Sequence, residues 1–109
     1  MKTQKSSEQP YPDPPSDLSP AARELWIELG PTSARCTGRR ELLTDALRWF
    51  DVAQQCRAAI ALDGLVVNGP KMPHANPSVG MLKEASREWA RLWKLLSLDK
   101  QPDPMDFLL

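Results

Sequence analysis

The stretch Arg40–Leu62, RELLTDALRWFDVAQQCRAAIAL, runs without a proline or glycine in a chain that carries 11 prolines among 109 residues. Proline removes a backbone donor and glycine raises the entropy lost on folding, so an interval free of both is where a long helix can persist. Its apolar residues fall in two seven-residue series. Leu42, Trp49 and Cys56 make one; Ala46, Ala53 and Ile60 make the other, offset by four. That 4-3-4-3 spacing puts the two series on one helical face. Leu43, Leu47 and Phe50 form a second strip beside it. A stripe this wide has more than one surface to cover. The spacing predicts a central helix that packs its Leu42 to Ile60 series on its own chain and presents Leu43, Leu47 and Phe50 to another subunit.

Two further helices flank it. Ser19 is a suitable N-cap and Pro20 fits a first helical position, with Ala22, Leu25, Trp26 and Leu29 on one face. Gly30-Pro31 is expected to stop this helix after about ten residues. Thr37 or Gly38 is expected to cap the long helix and Asp63-Gly64 to end it. Arg48 is expected to pair with Asp45 and Asp51 along the same helix. Residues 65–76, LVVNGPKMPHAN, read as a small β-like elbow: Leu65-Val66-Val67 is β-prone, Asn68-Gly69 is a turn, and Lys71-Met72 returns. Asn76 then caps a helix with Pro77 at its first position, running to about Leu98. Leu82, Ala85, Trp89, Leu92 and Leu96 make its apolar stripe, widened by Val79 and Trp93.

The ends are poorer in packing residues. Residues 1–18 hold four prolines, and residues 99–109 hold three aspartates and two prolines. Neither segment buries enough apolar surface to offset its ordering entropy, so both are expected to be disordered tails around a 19–98 helical core. The fold expected is all-α: a short helix plus two long antiparallel helices joined by the elbow. A core of this size is marginal alone, and oligomerisation is a usual remedy.

Formal net charge is zero, with residues 77–98 at +2 and residues 99–109 at −2. No segment carries the basic footprint of a domain that holds DNA tightly by itself, although repeated weak contacts build avidity. Two cysteines stand twenty positions apart with no CxxC pair, and Cys56 on the apolar face reads as a buried free thiol in a reducing setting. No signal-peptide run or stretch of membrane-span length is present in the sequence.

Catalytic patterns are missing. His74 is the single histidine and has no partners at ligand spacing, so it reads as a loop residue. Glu24 and Glu28 lack the matching Glu and His that a bundle metal site needs. Nucleophile triads, phosphate loops and dinucleotide glycines are not seen, and the expectation is no enzyme, cofactor or metal. Two basic features remain. Arg35, Arg39 and Arg40 cluster at the start of the long helix, where a cation opposes the helix dipole and an external anion would relieve it. Lys83, Arg87, Arg91 and Lys94 line one face of the last helix, with Glu84 and Glu88 placed to pair with Arg87 and Arg91. The arginine cluster reads either as a solvated loop or as a grip on phosphates, and the row on the last helix either as a solvated face or as a contact with a subunit or nucleic acid. Met105, Phe107, Leu108 and Leu109 make an acidic-apolar segment with its aspartates, which either docks on a partner or folds back on its own core or on a neighbouring subunit.

The order of these features resembles a known family. Pro14-Pro15 leads to Leu18-Ser19-Pro20-Ala21-Ala22 and Trp26. The long helix carries Asp45, Leu47 and Cys56; Gly64, Gly69, His74 and Pro77 mark the elbow; Leu95-Leu96-Ser97-Leu98 closes the last helix. This arrangement, over about residues 14–102, is similar to the P27 family of phage terminase small subunits, which includes the small terminase of HK97-like phages. The family's elbow usually reads Gly-X-X-X-His-Pro, whereas Ala75 and Asn76 here separate His74 from Pro77. Where the family has Gly-Leu-Thr-Pro, this chain has Ser97-Leu98-Asp99-Lys100, with Pro102 further on. The resemblance implies a non-catalytic DNA-packaging protein in the host cell cytoplasm. It implies a homo-oligomeric ring that recognises viral double-stranded DNA and regulates a large ATPase/nuclease subunit. On that reading the two basic clusters are candidate DNA contacts, and Phe107, Leu108 and Leu109 are candidates for docking the large subunit. The alternative is a structural virion or adaptor protein that assembles through the same helices.

Overall fold

The computed structural model describes residues 11–68, 72–98 and 103–105. It is mostly helical. Helix α1 spans Pro20–Ser33, α2 spans Thr37–Asp63 and α3 spans Pro77–Leu95. Between α2 and α3 lies an antiparallel ribbon of β1, Val66–Asn68, and β2, Pro73–Ala75. The returning strand is Pro73–Ala75, with Met72 outside it, and Lys71 lies outside the described residues. Proline is tolerated at a strand's first residue, and Asn76 N–H extends the pairing to the Leu65 carbonyl at 2.9 Å.

Local chemistry sets most helix ends. Ser19 caps α1, its hydroxyl accepting from Ala22 N–H at 3.2 Å. Asn76 caps α3 by accepting from Ser78 N–H at 3.0 Å and also donates to the Gly64 carbonyl at 2.8 Å, which ties the two ends of the ribbon together. Gly64 ends α2 at φ +86°, a conformation that favours glycine. Cys36, not Thr37 or Gly38, occupies the N-cap of α2 and makes no side-chain cap.

Helix α1 does not stop at Gly30-Pro31. Proline in the last turn removes a single intrahelical bond, and Ala34 N–H still reaches the Gly30 carbonyl at 2.8 Å. Gly30 answers a packing need. A Cβ there would collide with the ring of Tyr11, which occupies that space.

Tyr11 shows that the expectation of a disordered 1–18 arm fails for its described part, residues 11–18. Its ring packs on Trp26 with centroids 5.5 Å apart, and its hydroxyl donates to the Ala34 carbonyl at 2.7 Å. Trp26 Nε1 donates to the Pro12 carbonyl at 2.8 Å, and Leu18 is buried. The aromatic anchor supplies the burial that aliphatic counting missed. Arg48 pairs with Asp17 of this segment at 3.0 Å, not with its helix neighbours. Asp51 instead accepts from both the backbone N–H and the hydroxyl of Ser19, joining α1 to α2.

Helices α2 and α3 pack antiparallel, and Phe50 meets Trp89 with ring centroids 5.5 Å apart. This fixes the working face of α2 and corrects the assignment of its two strips. Leu43, Leu47 and Phe50 are 1%, 0% and 3% exposed and belong to the chain's own core. They are not a free subunit surface. Of the face from Leu42 to Ile60, Ala46, Ala53 and Cys56 are also buried, whereas Leu42, Trp49 and Ile60 are half-buried. Periodicity finds a wide stripe, but its centre depends on where two neighbouring helices lie.

Candidate functional site

Helix α3 ends in a turn built against local preference. Ser97 N–H donates to the Lys94 carbonyl and Leu98 N–H to the Trp93 carbonyl, at 2.9 and 3.0 Å. This reversal needs a left-handed residue, and Ser97 supplies it at φ 63° where glycine is usual. The turn directs Leu98 into the core, where it is buried beside Leu96.

Arg39 holds this end in place. Its Nε donates to the Ser33 carbonyl at the end of α1, and its Nη2 donates to the Leu96 carbonyl at the end of α3. One guanidinium therefore bridges the negative ends of two helix dipoles, which more than answers its unfavourable place near the start of α2. Arg40 donates to the Arg35 carbonyl at 3.0 Å and to Thr37 Oγ1 at 3.3 Å, and lies 6.0 Å from the Tyr11 ring centroid. Burial pushes the Tyr11 phenol above its ordinary pKa, and the positive charge of Arg40 partly opposes this. Arg39 is thus tied to the carbonyls at two helix ends, and the half-buried Arg40 makes its hydrogen bonds to the chain at the surface. The charge that seemed to call for an external anion is answered by helix carbonyls and an aromatic ring. Arg35 alone of the three is exposed.

Lys83, Arg87, Arg91 and Lys94 are all exposed. At 3.6 residues per turn they fall roughly opposite Ala85, Trp89, Leu92 and Leu96, forming a ridge about 16 Å long at 1.5 Å per residue. Arg91 pairs with Glu88 at 2.8 Å. The expected Glu84–Arg87 pair is not among the ion pairs of the described residues. Arg35 precedes α2, at the end of the bundle where Arg39 joins the start of α2 to the end of α3.

Residues 103–105 fold back on the bundle. Trp89 Nε1 donates to Asp103 Oδ1 at 2.8 Å, Met105 N–H donates to the same oxygen at 2.8 Å, and Met105 is buried. The expectation of a disordered 99–109 tail therefore fails at this anchor. Arg57 Nη1 donates to the Met105 sulfur at 3.4 Å. Arg57 Nη2 is buried without a hydrogen-bond partner among the described residues. Phe107, Leu108 and Leu109 lie outside the described residues.

A groove of about 460 Å³ opens beside Arg57, between the end of α2 and the start of α3. Ile60, Ala61, Leu65, Val79 and Leu82 give it an apolar lining, and Lys83 stands with Arg57 at its edge. Next to it, Leu62, Leu65, Val66, Met72 and Met81 form the exposed apolar end of the molecule, with Leu62 85% and Leu65 63% exposed. Sequence reading missed both features, because an isolated Arg57 and a short apolar loop carry no periodic signal.

Among the described residues no three metal-ligating side chains converge, and no described helix is long and apolar enough to cross a membrane. His74 is exposed on β2. Cys56 is a buried free thiol and Cys36 an exposed one. No family model, curated protein or solved structure matches this chain.

Proposed function

We propose that this chain is the small, non-catalytic subunit of a phage terminase, a homo-oligomeric ring that binds viral double-stranded DNA and regulates a large ATPase/nuclease subunit. The reading rests on the order of sequence features that resembles the P27 family. The structural observation that supports it best is the exposed cationic ridge of α3, turned away from the core. Lys83, Arg87, Arg91 and Lys94, together with the exposed Arg35, are the DNA contacts in this proposal. Arg39 and Arg40 are left out of the contact set because their guanidinium groups serve the chain's own carbonyls. A ridge about 16 Å long is of the order of the major groove, about 12 Å wide, so its ends reach phosphates on both sides. One such ridge binds weakly, and a ring that repeats it gains avidity. The large subunit docks through Phe107, Leu108 and Leu109.

The subunit contact proposed for the ring is the apolar end formed by Leu62, Val66, Met72 and Met81. It takes over the role first expected of Leu43, Leu47 and Phe50. The same patch favours the second reading, a structural virion or adaptor protein that assembles without selecting DNA.

Light scattering combined with DNA binding titrated against salt separates the two. If three to four cations per subunit meet phosphates, log K falls against log salt with a slope of about −3 per engaged subunit. Arg87→Glu with Lys94→Glu should flatten that slope. An oligomer whose DNA affinity is unchanged by the pair would remove the terminase reading and leave the adaptor. A monomer at working concentrations would remove the ring.

A further inference from the structure

The groove beside Arg57 sits on the path of the chain's own acidic-apolar segment. The contact of Phe50 with Trp89 sets the antiparallel register of α2 and α3. Arg57 lies seven positions further along α2, about 10 Å nearer the elbow. Asp103 is held by Trp89, and Met105 by Arg57. The segment therefore advances along the helix pair toward the elbow and reaches the groove's edge at Met105. Ile60 and Ala61 are about 5 Å further on along the axis. Phe107 is two residues beyond Met105, within about 7 Å of extended chain.

The chemistry matches the position. Asp106 directly follows the residue that Arg57 touches, and Arg57 Nη2 is buried without a partner among the described residues. A buried guanidinium nitrogen calls for an acceptor, and a carboxylate is a fitting one. Lys83 adds a second cation at the same edge. Behind these charges the lining is Ile60, Ala61, Leu65, Val79 and Leu82, an apolar surface suited to aromatic and aliphatic side chains.

We propose that the α2–α3 groove is the docking site for residues 106–109 of the same chain, with Asp106 on Arg57 and Phe107 in the apolar lining. The groove then controls the access of any partner to Phe107, Leu108 and Leu109: a partner must compete with the chain's own groove for them. This docking stands independently of the packaging role and would hold in an adaptor protein equally.

The test uses the full-length chain with labelled methyl groups. Replacing Phe107→Ala removes the ring current, so the methyl resonances of Ile60, Leu65, Val79 and Leu82 should shift while those of Leu29 stay in place. Asp106→Asn should weaken the same contact and move the same set part of the way. A sample mixing labelled and unlabelled chains then asks which copy supplies the ring. Contacts from Phe107 to the groove confined to one chain support the proposal. Groove methyls that ignore Phe107→Ala would overturn it, as would contacts that arise only between chains.

Discussion

Replacing Arg39 distinguishes a clamp from a DNA contact. The half-buried guanidinium donates to two carbonyls, Ser33 and Leu96, at the ends of two different helices. Hydrogen bonds to a charged group each contribute about 1.5–3 kcal/mol, and partial exposure puts this pair toward the low end. Arg39→Met should therefore cost about 2–4 kcal/mol, since both bonds go and two helix-end carbonyls lose their cation. Arg39→Lys keeps the charge, but a single ammonium cannot span both carbonyls, so about half of that loss is expected. Equilibrium urea unfolding followed by circular dichroism, at one fixed protein concentration, measures both. The concentration must be held because assembly adds to apparent stability. A wild-type midpoint for Arg39→Met, together with a lost DNA affinity, would refute the clamp and restore Arg39 to the DNA-contact set.

Three further outcomes follow from the packing. Phe50→Asp should unfold the chain instead of dissociating a folded oligomer, and Phe50→Ala should cost about 3–5 kcal/mol, because Phe50 is core against Trp89; native helicity in a dissociated Phe50→Asp monomer by circular dichroism would contradict this. Ser97→Gly should stabilise the chain by about 0.5–1 kcal/mol in urea unfolding, since glycine adopts the left-handed turn without steric cost but is more flexible when unfolded. The Asp17 carboxyl should titrate below the ordinary carboxylate range, chiefly through its hydrogen bond from Arg48, and Arg48→Met should return it toward that range by carbon-detected titration. A lowered folded-state pKa means that this pair helps above the unfolded value, near pH 4, and that its contribution is lost as pH falls through the folded one; because the pair is solvent-exposed, the effect on neutral-pH stability should be small.

The fold and the site divide between what is written locally and what is not. Ser19-Pro20, Asn76-Pro77 and Asp63-Gly64 mark helix ends because a side-chain oxygen, a fixed φ or a missing Cβ acts within one turn of itself. The interval from Arg40 to Leu62 determined a helix for the same reason: no residue in it breaks one. The cationic row on α3 was also visible, since its spacing of four, four and three is a property of the helix alone.

Other features depended on residues far apart in the chain. Gly30-Pro31 carries a local stop signal, yet Tyr11 fills the space over Gly30 and the helix continues. Leu42 and Leu43 are neighbours in sequence, and only the positions of α1 and α3 made Leu43 the core residue and left Leu42 half-buried. Arg39 and Leu96 are 57 positions apart, so nothing in either segment announced that the cation at the start of α2 answers the carbonyl at the end of α3. Where helices form and which face carries charge were legible in the residues alone, because those are short-range consequences of backbone and side-chain chemistry. Which apolar strip becomes core, and which arginines stay free to meet a partner, depended on how the three helices pack. Burial and pairing are properties of two surfaces together, and one segment specifies only one of them.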